Sequence, residues 1–215
     1  MKILLVDDHA VVRHGYASLL QACLPEVQVE HASSGEEALQ CMPSVNPHLL
    51  IMDIGLPGIS GLETCRRLRQ RLPQLPVLFF SMHDELTLVR QALDAGAAGY
   101  ISKSAAPDVL LEAVRRTLAG QMYIEQGIAT QMACHTYVPG TIDPRLHSMT
   151  PREMEVFVML SRGLATQHIA EKLSISRKTV SNYMTLLKQK LQVSSHVELV
   201  HLAIDTGVLR IGDAS

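Results

Sequence analysis

Five polar residues of the amino-terminal half each follow an apolar run, and together they could carry out chemistry on a phosphoryl group. Asp7 and Asp8 follow the first run, Asp53 the third, Ser81 the fourth and Lys103 the fifth. Neighbouring carboxylates repel unless a cation joins them, and a few oxygen ligands suit Mg²⁺. An ammonium and a hydroxyl beside the metal add the fixed charge and hydrogen bond that a phosphoryl group needs. The chemistry indicated is phosphoryl transfer onto a carboxylate, with Asp53 as nucleophile.

The elements predicted around these residues would bring them to one edge of a sheet. Strands at 2–7, 27–31, 49–53, 77–81 and 100–102 alternate with helices near 9–23, 35–42, 61–71, 84–95 and 107–119. Several strands are continuously apolar, as expected where helices cover both faces of a parallel sheet. Five βα units predict an α/β fold with a flavodoxin-like, doubly wound, five-stranded parallel sheet, which binds ligands at the carboxyl ends of its strands.

The carboxyl-terminal part has a helical period throughout. Thr150, Pro151 and Glu153 have the spacing of a capping box with proline in the first turn. Helices are predicted at 151–161, 166–173, 177–191 and 195–206, with Gly163 and Gly207 as stops. We therefore expect an α/β domain at 1–120, a linker that can include a helix at 121–148, and a small all-α four-helix domain at 149–215.

Composition excludes several classes of protein. Hydrophobic residues make up 47% and charged residues 19% of the chain, which excludes a disordered protein. The apolar runs are too short to span a bilayer, and acids at positions 7 and 8 come too early for a signal peptide. We therefore expect a cytoplasmic protein with no membrane partner. The 4 cysteines and 10 histidines are dispersed and show no zinc-binding spacing.

Charge is distributed unevenly along the chain. Residues 1–120 contain 10 Lys/Arg and 13 Asp/Glu, whereas residues 149–215 contain 8 and 6. Within 166–196 the excess is larger, at 5 cationic residues against 1 acidic residue. An acidic front and a locally basic rear indicate two modules with different partners.

The basic segment 163–191 has the spacing of a short helix, a tight turn and a longer helix. Cationic and small polar residues begin the longer helix. In such a unit, the second helix places its first residues against base edges, while cations and hydroxyls bind phosphates. The candidate DNA contacts are Arg177, Lys178, Thr179, Ser181, Asn182, Thr185 and Lys188.

The first 120 residues resemble the receiver domain of two-component response regulators. The matching positions are Asp7-Asp8, the run M-D-I-G-L-P-G-I-S-G at 52–61, Ser81, Tyr100 and Lys103. The resemblance implies that Asp53 accepts a phosphoryl group from a sensor histidine kinase or a small phosphodonor, and that Lys103 contacts the acyl phosphate. It also implies a Mg²⁺ ion held by Asp7, Asp8, Asp53 and the backbone carbonyl of Gly55.

Three further residues receive roles from the same resemblance. Ser81 would turn its hydroxyl toward the acyl phosphate, and Tyr100 would change rotamer and alter the surface around the fourth helix. His83 and Gly55 occupy the two positions that tune acyl-phosphate lifetime in this family. Because glycine has no side chain to position water, we expect His83 to shape water access. The chain would then not be an enzyme beyond catalysing its own phosphorylation and dephosphorylation.

Residues 149–215 resemble the LuxR-type helix-turn-helix domain. The matches are T-P-R-E at 150–153, Glu155-Val156, Gly163, Ile169-Ala170, L-x-I-S at 173–176, K-T-V at 178–180, Lys188 and Lys190-Leu191. Combined with a receiver, this defines the NarL/FixJ class of response regulator. The resemblance implies three partners: double-stranded DNA, a second copy of the chain on phosphorylation or on DNA, and RNA polymerase as a further candidate.

The longer helix departs from the family pattern at three positions. Ser181 stands where Lys or Arg is common, Tyr183 where His is usual, and Thr185 where Lys is frequent. Fewer charges predict a weaker phosphate contribution to DNA binding and a smaller salt dependence. In the last predicted helix, Val197 and Val200 belong to an apolar spacing that could serve packing within the module or a dimer contact.

The main prediction is that the protein regulates transcription and that phosphorylation of Asp53 switches its DNA binding. One alternative is a nucleotide-dependent α/β enzyme, for which the spacing of Gly55, Gly58 and Gly61 is the best support. That spacing is not G-x-G-x-x-G and follows the third strand rather than the first. A second alternative is a DNA-binding regulator that works without phosphorylation, against which the intact acidic set and Lys103 argue.

Overall fold

The apolar runs of the first 120 residues form one parallel sheet in the computed structural model, which describes residues 1–134, 144–147, 149–206 and 208–209. The strands lie side by side in the order β2-β1-β3-β4-β5-β6, and every pair is parallel. The predicted doubly wound α/β fold is confirmed. The strands are β1 (Lys2–Val6), β2 (Gln28–Ala32), β3 (Leu49–Met52), β4 (Val77–Ser81), β5 (Gly99–Ser102) and β6 (Tyr123–Ile124).

The sheet has six strands, so the prediction of five was wrong. β6 consists of Tyr123 and Ile124, which pair with Gly99 and Tyr100 of β5. Two residues are too few to show a strand period, and the segment lies in the range predicted as linker. Gly99 permits the pairing, because a Cβ atom there would lie 2.5 Å from the carbonyl oxygen of Tyr123.

Two compact units divide the chain. The first, here the sheet unit, consists of Met1–Asp84 and Leu88–Cys134, and the second, the helical unit, of Glu85–Thr87 and the residues from 135 onward. The helices of the first 134 residues are α1 (Ala10–Cys23), α2 (Gly35–Val45), α3 (Gly61–Arg71), α4 (Leu86–Asp94), α5 (Pro107–Leu118) and α6 (Gln126–Cys134).

Local sequence signals set the starts of these helices, and the strands supply the core. Ser34 caps α2 by accepting a hydrogen bond from the Glu37 amide, and Pro107 lies in the first turn of α5. On one face of the sheet, buried side chains of β1, β3, β4 and β5 pack with those of α1 and α5. Examples are Leu5, Ile51, Phe80, Ile101, Leu20 and Val114.

The helical unit contains α7 (Pro144–His147), α8 (Pro151–Ser161), α9 (Thr166–Lys172), α10 (Arg177–Leu191) and α11 (His196–Asp205). The predicted capping box is confirmed, since Thr150 and Glu153 exchange side chain–backbone hydrogen bonds at the start of α8. A tight turn joins α9 to α10, with Ser174 at φ 50°. Fully buried apolar residues fill the centre: Phe157, Ile169, Val180, Leu187, Leu191 and Leu199.

Some predictions fall outside the described residues. These are the stop at Gly207, linker residues 135–143 and 148, and the end of the predicted all-α domain at 210–215. Within the described parts of the chain, none of the helices combines the length and the apolar character that a bilayer crossing requires.

Candidate functional site

The order of the strands brings the predicted chemical residues to one edge of the sheet. β1, β3, β4 and β5 are consecutive neighbours and run in the same direction, so their carboxyl ends meet. Asp7 directly follows β1, Asp53 follows β3, Ser81 ends β4 and Lys103 follows β5. The edge of the sheet therefore gathers two carboxylates, a hydroxyl and an ammonium from four strands.

Lys103 and Asp53 lie at the centre of this group. The Lys103 Nζ atom is 2.5 Å from Asp53 Oδ2 and 2.5 Å from Asp7 Oδ2, and the Ser81 hydroxyl donates to Asp53 Oδ1 over 2.7 Å. The side chains of Lys103, Asp7 and Asp53 are only 6%, 2% and 8% exposed. The phosphoacceptor candidate therefore has a charged or hydroxyl partner at each of its two oxygens.

The pKa values of the central pair follow from these contacts. Burial alone would raise the pKa of Asp53, but the Lys103 ammonium and the Ser81 hydroxyl outweigh it and hold that pKa below its ordinary value. Conversely, burial would lower the pKa of Lys103, but the carboxylates of Asp53 and Asp7 raise it. Asp53 is consequently ionised at neutral pH, which is the form that can act as a nucleophile.

A metal ion could bind beside this pair. Asp7, Asp8, Asp53 and His9 each offer one ligand atom, and these atoms all lie within 4.8 Å of one another. Burial raises the pKa of Asp8; His9 opposes this effect, while Asp53 and Asp7 reinforce it. Three carboxylates that share one location are a donor set that fits a hard divalent cation such as Mg²⁺.

His9 is part of this group, although no pattern in the sequence singled it out. Its Nδ1 atom lies 2.8 Å from Asp8 Oδ1, and its backbone N–H donates to Asp7 Oδ1 over 2.8 Å. The Arg13 guanidinium donates to the backbone carbonyl of Asp7. His9 could have been found from its position directly after Asp8, whereas the Arg13 contact depends on the first turn of α1.

The loop between Asp53 and α3 is held at three points. The Gly55 N–H donates to Asp53 Oδ1 over 3.3 Å, which places the predicted metal-ligating residue beside the carboxylate. A Cβ atom at Gly61 would lie 1.9 Å from the carbonyl oxygen of Asp53, so only glycine fits where α3 begins. At the far side, Glu36 of α2 accepts a hydrogen bond from the Ile59 N–H over 2.9 Å. No short-range pattern in the sequence indicates this last contact.

Tyr100 and His83, the predicted switch and tuning residues, are connected. The Tyr100 hydroxyl donates to the backbone carbonyl of His83, and Tyr100 is fully buried within β5. The backbone N–H of His83 reaches the Ser81 hydroxyl at 3.4 Å, and the His83 imidazole contributes to the lowered pKa of Asp53. Both residues therefore lie within the same network as Asp53.

In the helical unit, α10 presents an exposed polar face. Thr179 and Lys188 are half-buried, and the Thr179 hydroxyl bonds the Ser176 hydroxyl at the start of the helix. The hydroxyls of Ser181 and Thr185 bond the backbone carbonyls one turn earlier in α10. The exposed face is formed by Arg177, Lys178, Ser181, Asn182, Thr185, Leu186 and Gln189. Five of the seven predicted DNA contacts belong to it.

The first turn of α8 holds both helices of the helix-turn-helix. Arg152 pairs with the buried Glu155 at 2.8 Å and donates to the carbonyl of Leu173, which directly follows α9, at 2.8 Å. Glu153 accepts a hydrogen bond from Lys190 near the end of α10, at 2.7 Å. Lys190 therefore supports the fold of the helical unit rather than its exposed face.

Comparisons with known proteins agree with this division. A family model described as "Response regulator receiver domain" matches residues 3–115, and one described as "Bacterial regulatory proteins, luxR family" matches residues 147–203. The chain is 64% identical over 212 residues to the transcriptional activator protein ExaE of Pseudomonas putida, covering 98% of this chain and 99% of that protein. It is 36% identical over 208 residues to the response regulator UvrY of Escherichia coli K12, covering 97% and 95%.

A solved structure supports the same assignment. The crystal structure of a LuxR-family two-component response regulator from Aurantimonas sp. SI85-9A1 superposes with a TM-score of 0.59 at 36% identity, covering 61% of this chain and 94% of that one. The strand-end group, the helix-turn-helix and both family matches lead to one conclusion. The chain belongs to the NarL/FixJ class of two-component response regulators, with a receiver domain and a LuxR-type DNA-binding domain.

Proposed function

We propose that phosphorylation of Asp53 by a sensor histidine kinase switches this regulator between states that differ in DNA binding. The observation that supports the proposal best is the buried contact of Lys103 and Ser81 with the two oxygens of Asp53. A carboxylate oxygen of Asp53 forms the new P–O bond while the P–N bond of the kinase phosphohistidine breaks, and the leaving imidazole takes the bonding pair. The product is an acyl phosphate.

The surrounding residues stabilise the transferring group. Lys103 and Ser81 offer a charge and a hydrogen-bond donor to oxygens that gain negative charge during the transfer. Asp7, Asp8, Asp53 and the Gly55 carbonyl are the proposed ligands of Mg²⁺, which neutralises phosphoryl charge when it is bound. The chain would catalyse only its own phosphorylation and dephosphorylation.

Intact mass spectrometry tests the acceptor. The full chain is incubated with Mg²⁺ and a small acyl-phosphate donor, beside the variants Asp53→Ala and Asp108→Asn. We expect one phosphoryl group on the wild type and on Asp108→Asn, which alters an acid in the first turn of α5, and none on Asp53→Ala. Without a gain in the wild type, a regulator that works unphosphorylated would replace the proposal.

We further propose that His83 controls the access of water to the acyl phosphate. The Nε2 atom of His83 lies 4.0 Å from the place that a Cβ atom of Gly55 would occupy, so the imidazole borders the glycine of the phosphoacceptor loop. His83→Ala should therefore change the rate at which the phosphorylated chain loses its phosphoryl group. An unchanged rate would remove His83 from this role.

For DNA, we propose that the exposed face of α10 enters the major groove. Arg177 and Lys178 would contact phosphates near the start of the helix, and Ser181, Asn182 and Thr185 would face base edges. Thr179 and Lys188, which are half-buried, would contribute at the margins of this face. Selection from a random duplex library, with the unmodified and the phosphorylated chain, would identify the operator and the effect of the switch.

The remaining partners follow from this function. A two-fold operator would be bound by two copies of the chain, and α11 offers exposed Val197 as one candidate contact between them. RNA polymerase is a candidate partner because the relative from Pseudomonas putida is named a transcriptional activator. A protein that binds the chromosome and accepts phosphoryl from a kinase would work in the cytoplasm.

A further inference from the structure

The active-site end of β5 is held from its outer side by Glu125, the residue that follows β6. The backbone N–H of Glu125 donates to the carbonyl of Tyr100 over 3.0 Å, and its carboxylate accepts a hydrogen bond from the N–H of Ser102 over 2.8 Å. Glu125 therefore binds β5 on both sides of Ile101. These two bonds continue the contact between β6 and β5 by one residue beyond the end of β6.

Both attachment points adjoin the phosphoacceptor site. Tyr100 bonds the carbonyl of His83 through its hydroxyl. Ser102 directly precedes Lys103, whose ammonium contacts Asp53. Because the peptide unit between them is planar and stiff, a change at the backbone of Lys103 also moves the end of β5 that Glu125 holds.

On its other side, Glu125 begins α6. Its backbone carbonyl accepts a hydrogen bond from the Ala129 N–H over 2.8 Å, which forms the first turn of that helix. Ile128, in the same turn, is buried. Since α6 is the last element of the sheet unit before residue 135, Glu125 joins the end of β5 to the chain that leads into the helical unit.

The contact between β5 and β6 is specific. The closeness of Gly99 to the Tyr123 carbonyl leaves no room for a side chain on β5 at that point. From α5, the Arg116 guanidinium lies 5.7 Å from the centre of the Tyr123 ring, at the distance of a cation–π contact. Contacts with both the sheet and the adjacent helix thus hold β6 in place, and they fix the position of Glu125 relative to β5.

We propose that Glu125 is a positioning residue that couples the state of the Lys103–Asp53 pair to the first turn of α6. The inference rests on the proposed phosphorylation of Asp53. A phosphoryl group on Asp53 gives Lys103 new oxygen partners, and the accompanying shift at the end of β5 changes the Ser102–Glu125 hydrogen bond. The start of α6 then responds to the chemistry at Asp53.

Hydrogen exchange on the full chain, with and without Mg²⁺ and a small acyl-phosphate donor, tests this coupling. Peptides within 123–134 should change their exchange rate severalfold when the wild type is phosphorylated. Glu125→Ala removes the carboxylate. Glu125→Asp keeps a carboxylate at the start of α6 but is one methylene shorter. It therefore distinguishes the effect of a negative charge at the start of the helix from the effect of the hydrogen bond to Ser102. Glu125→Gln keeps both the length and an acceptor oxygen.

We expect Glu125→Ala and Glu125→Asp to take up one phosphoryl group by intact mass but to lose the exchange response. Glu125→Gln should retain the response, and so should the control Glu30→Ala, which removes an exposed glutamate of β2, the strand at the opposite edge of the sheet. A wild-type response in Glu125→Asp would overturn the coupling. Phosphoryl uptake by the wild type without an exchange response would overturn this inference alone, whereas no uptake would overturn the proposed function and the inference with it.

Discussion

The acidic edge of the sheet unit, formed by Asp7, Asp8 and Asp53, and the exposed face of α10 handle charge in opposite ways. At the edge, Lys103 is buried between Asp7 and Asp53 and contacts both. On α10, Arg177 and Lys178 are exposed to solvent. Buried charges must be compensated inside the protein, because losing one partner leaves the other without solvation. Exposed cations are compensated by water and counterions until a polyanion displaces them.

This difference shows where each site obtains its binding energy. The acidic edge is organised before any ligand arrives, because the ends of four strands fix its carboxylates, its hydroxyl and its ammonium at set distances. The face of α10 has a rigid backbone, held by the contacts of Arg152 and Glu153, but its side chains gain their electrostatic energy only from the partner. Substitutions should therefore change folding at the first site and binding at the second.

Removing Lys103 is the strongest way to break this comparison. We expect Lys103→Ala to lower the free energy of unfolding by about 3–5 kcal/mol at neutral pH, because Asp7 and Asp53 would be left as buried carboxylates without their cation. Urea unfolding measures the change, and Mg²⁺ should restore part of it by replacing the lost charge. The exposed-residue control Lys172→Ala should stay within about 0.5 kcal/mol of the wild type. An equally small loss for Lys103→Ala would contradict internal compensation.

The face of α10 should show the opposite behaviour. Lys178→Ala should leave the free energy of unfolding within about 0.5 kcal/mol of wild type. Because it would remove one proposed phosphate contact, it should weaken binding to a selected duplex and reduce the slope of log K against log salt by about 0.9. Fluorescence anisotropy at several salt concentrations measures both. Ser181→Lys should increase the slope by a similar amount, and Arg115→Ala, in the sheet unit, should leave it unchanged.

The pH dependence of the free energy of unfolding sharpens the comparison, because the helical unit also contains a buried charged residue, Glu153. Burial raises the pKa of Glu153, but hydrogen bonds from Lys190 and from the Thr150 backbone outweigh it and hold the pKa below its ordinary value. Because the pKa of Glu153 is lower in the folded chain than in the unfolded chain, its ionised carboxylate stabilises the fold at pH values above the unfolded pKa of about 4.3. This stabilisation is lost as the pH falls through the folded pKa.

Glu153→Gln should therefore lower the free energy of unfolding by about 1 kcal/mol at pH 7, and the difference from wild type should shrink as the medium becomes acidic. Urea unfolding at a series of pH values follows the two curves. The variant Glu171→Gln changes an exposed glutamate and should follow the wild type throughout. If the difference persisted at acid pH, packing rather than charge would explain the role of Glu153.

The smallest effect concerns the thiols, where burial again decides chemistry. Burial raises the pKa of Cys65 to about 11, whereas Cys23 is exposed at the end of α1. Because the thiolate is the reactive form, alkylation of the native chain near pH 8 should label Cys23 and leave Cys65 unmodified. Peptide mass spectrometry locates the label, and urea should make Cys65 reactive. Equal labelling of both in the native chain would show that the core around Cys65 opens readily.

The sequence was sufficient to place the acidic edge but not to complete it. The strand ends were predictable because parallel strands bring their carboxyl ends together whatever their order. The contacts of Arg13, Glu36 and Glu125 were not, because each depends on the path of the backbone after a turn. On α10 the helical period predicted the exposed face. It could not show that Lys190 would pair with Glu153, 37 residues away.

The short strand β6 also has a consequence for how the sheet unit can be isolated. β6 covers the outer side of β5, whose Tyr100 and Ile101 are fully buried. A fragment that stopped at residue 120 would leave the outer backbone groups of β5 without partners, and such an unprotected edge promotes aggregation between molecules. A fragment that continued to Cys134 would keep the edge covered. The choice of endpoint should thus decide whether the isolated unit remains monodisperse.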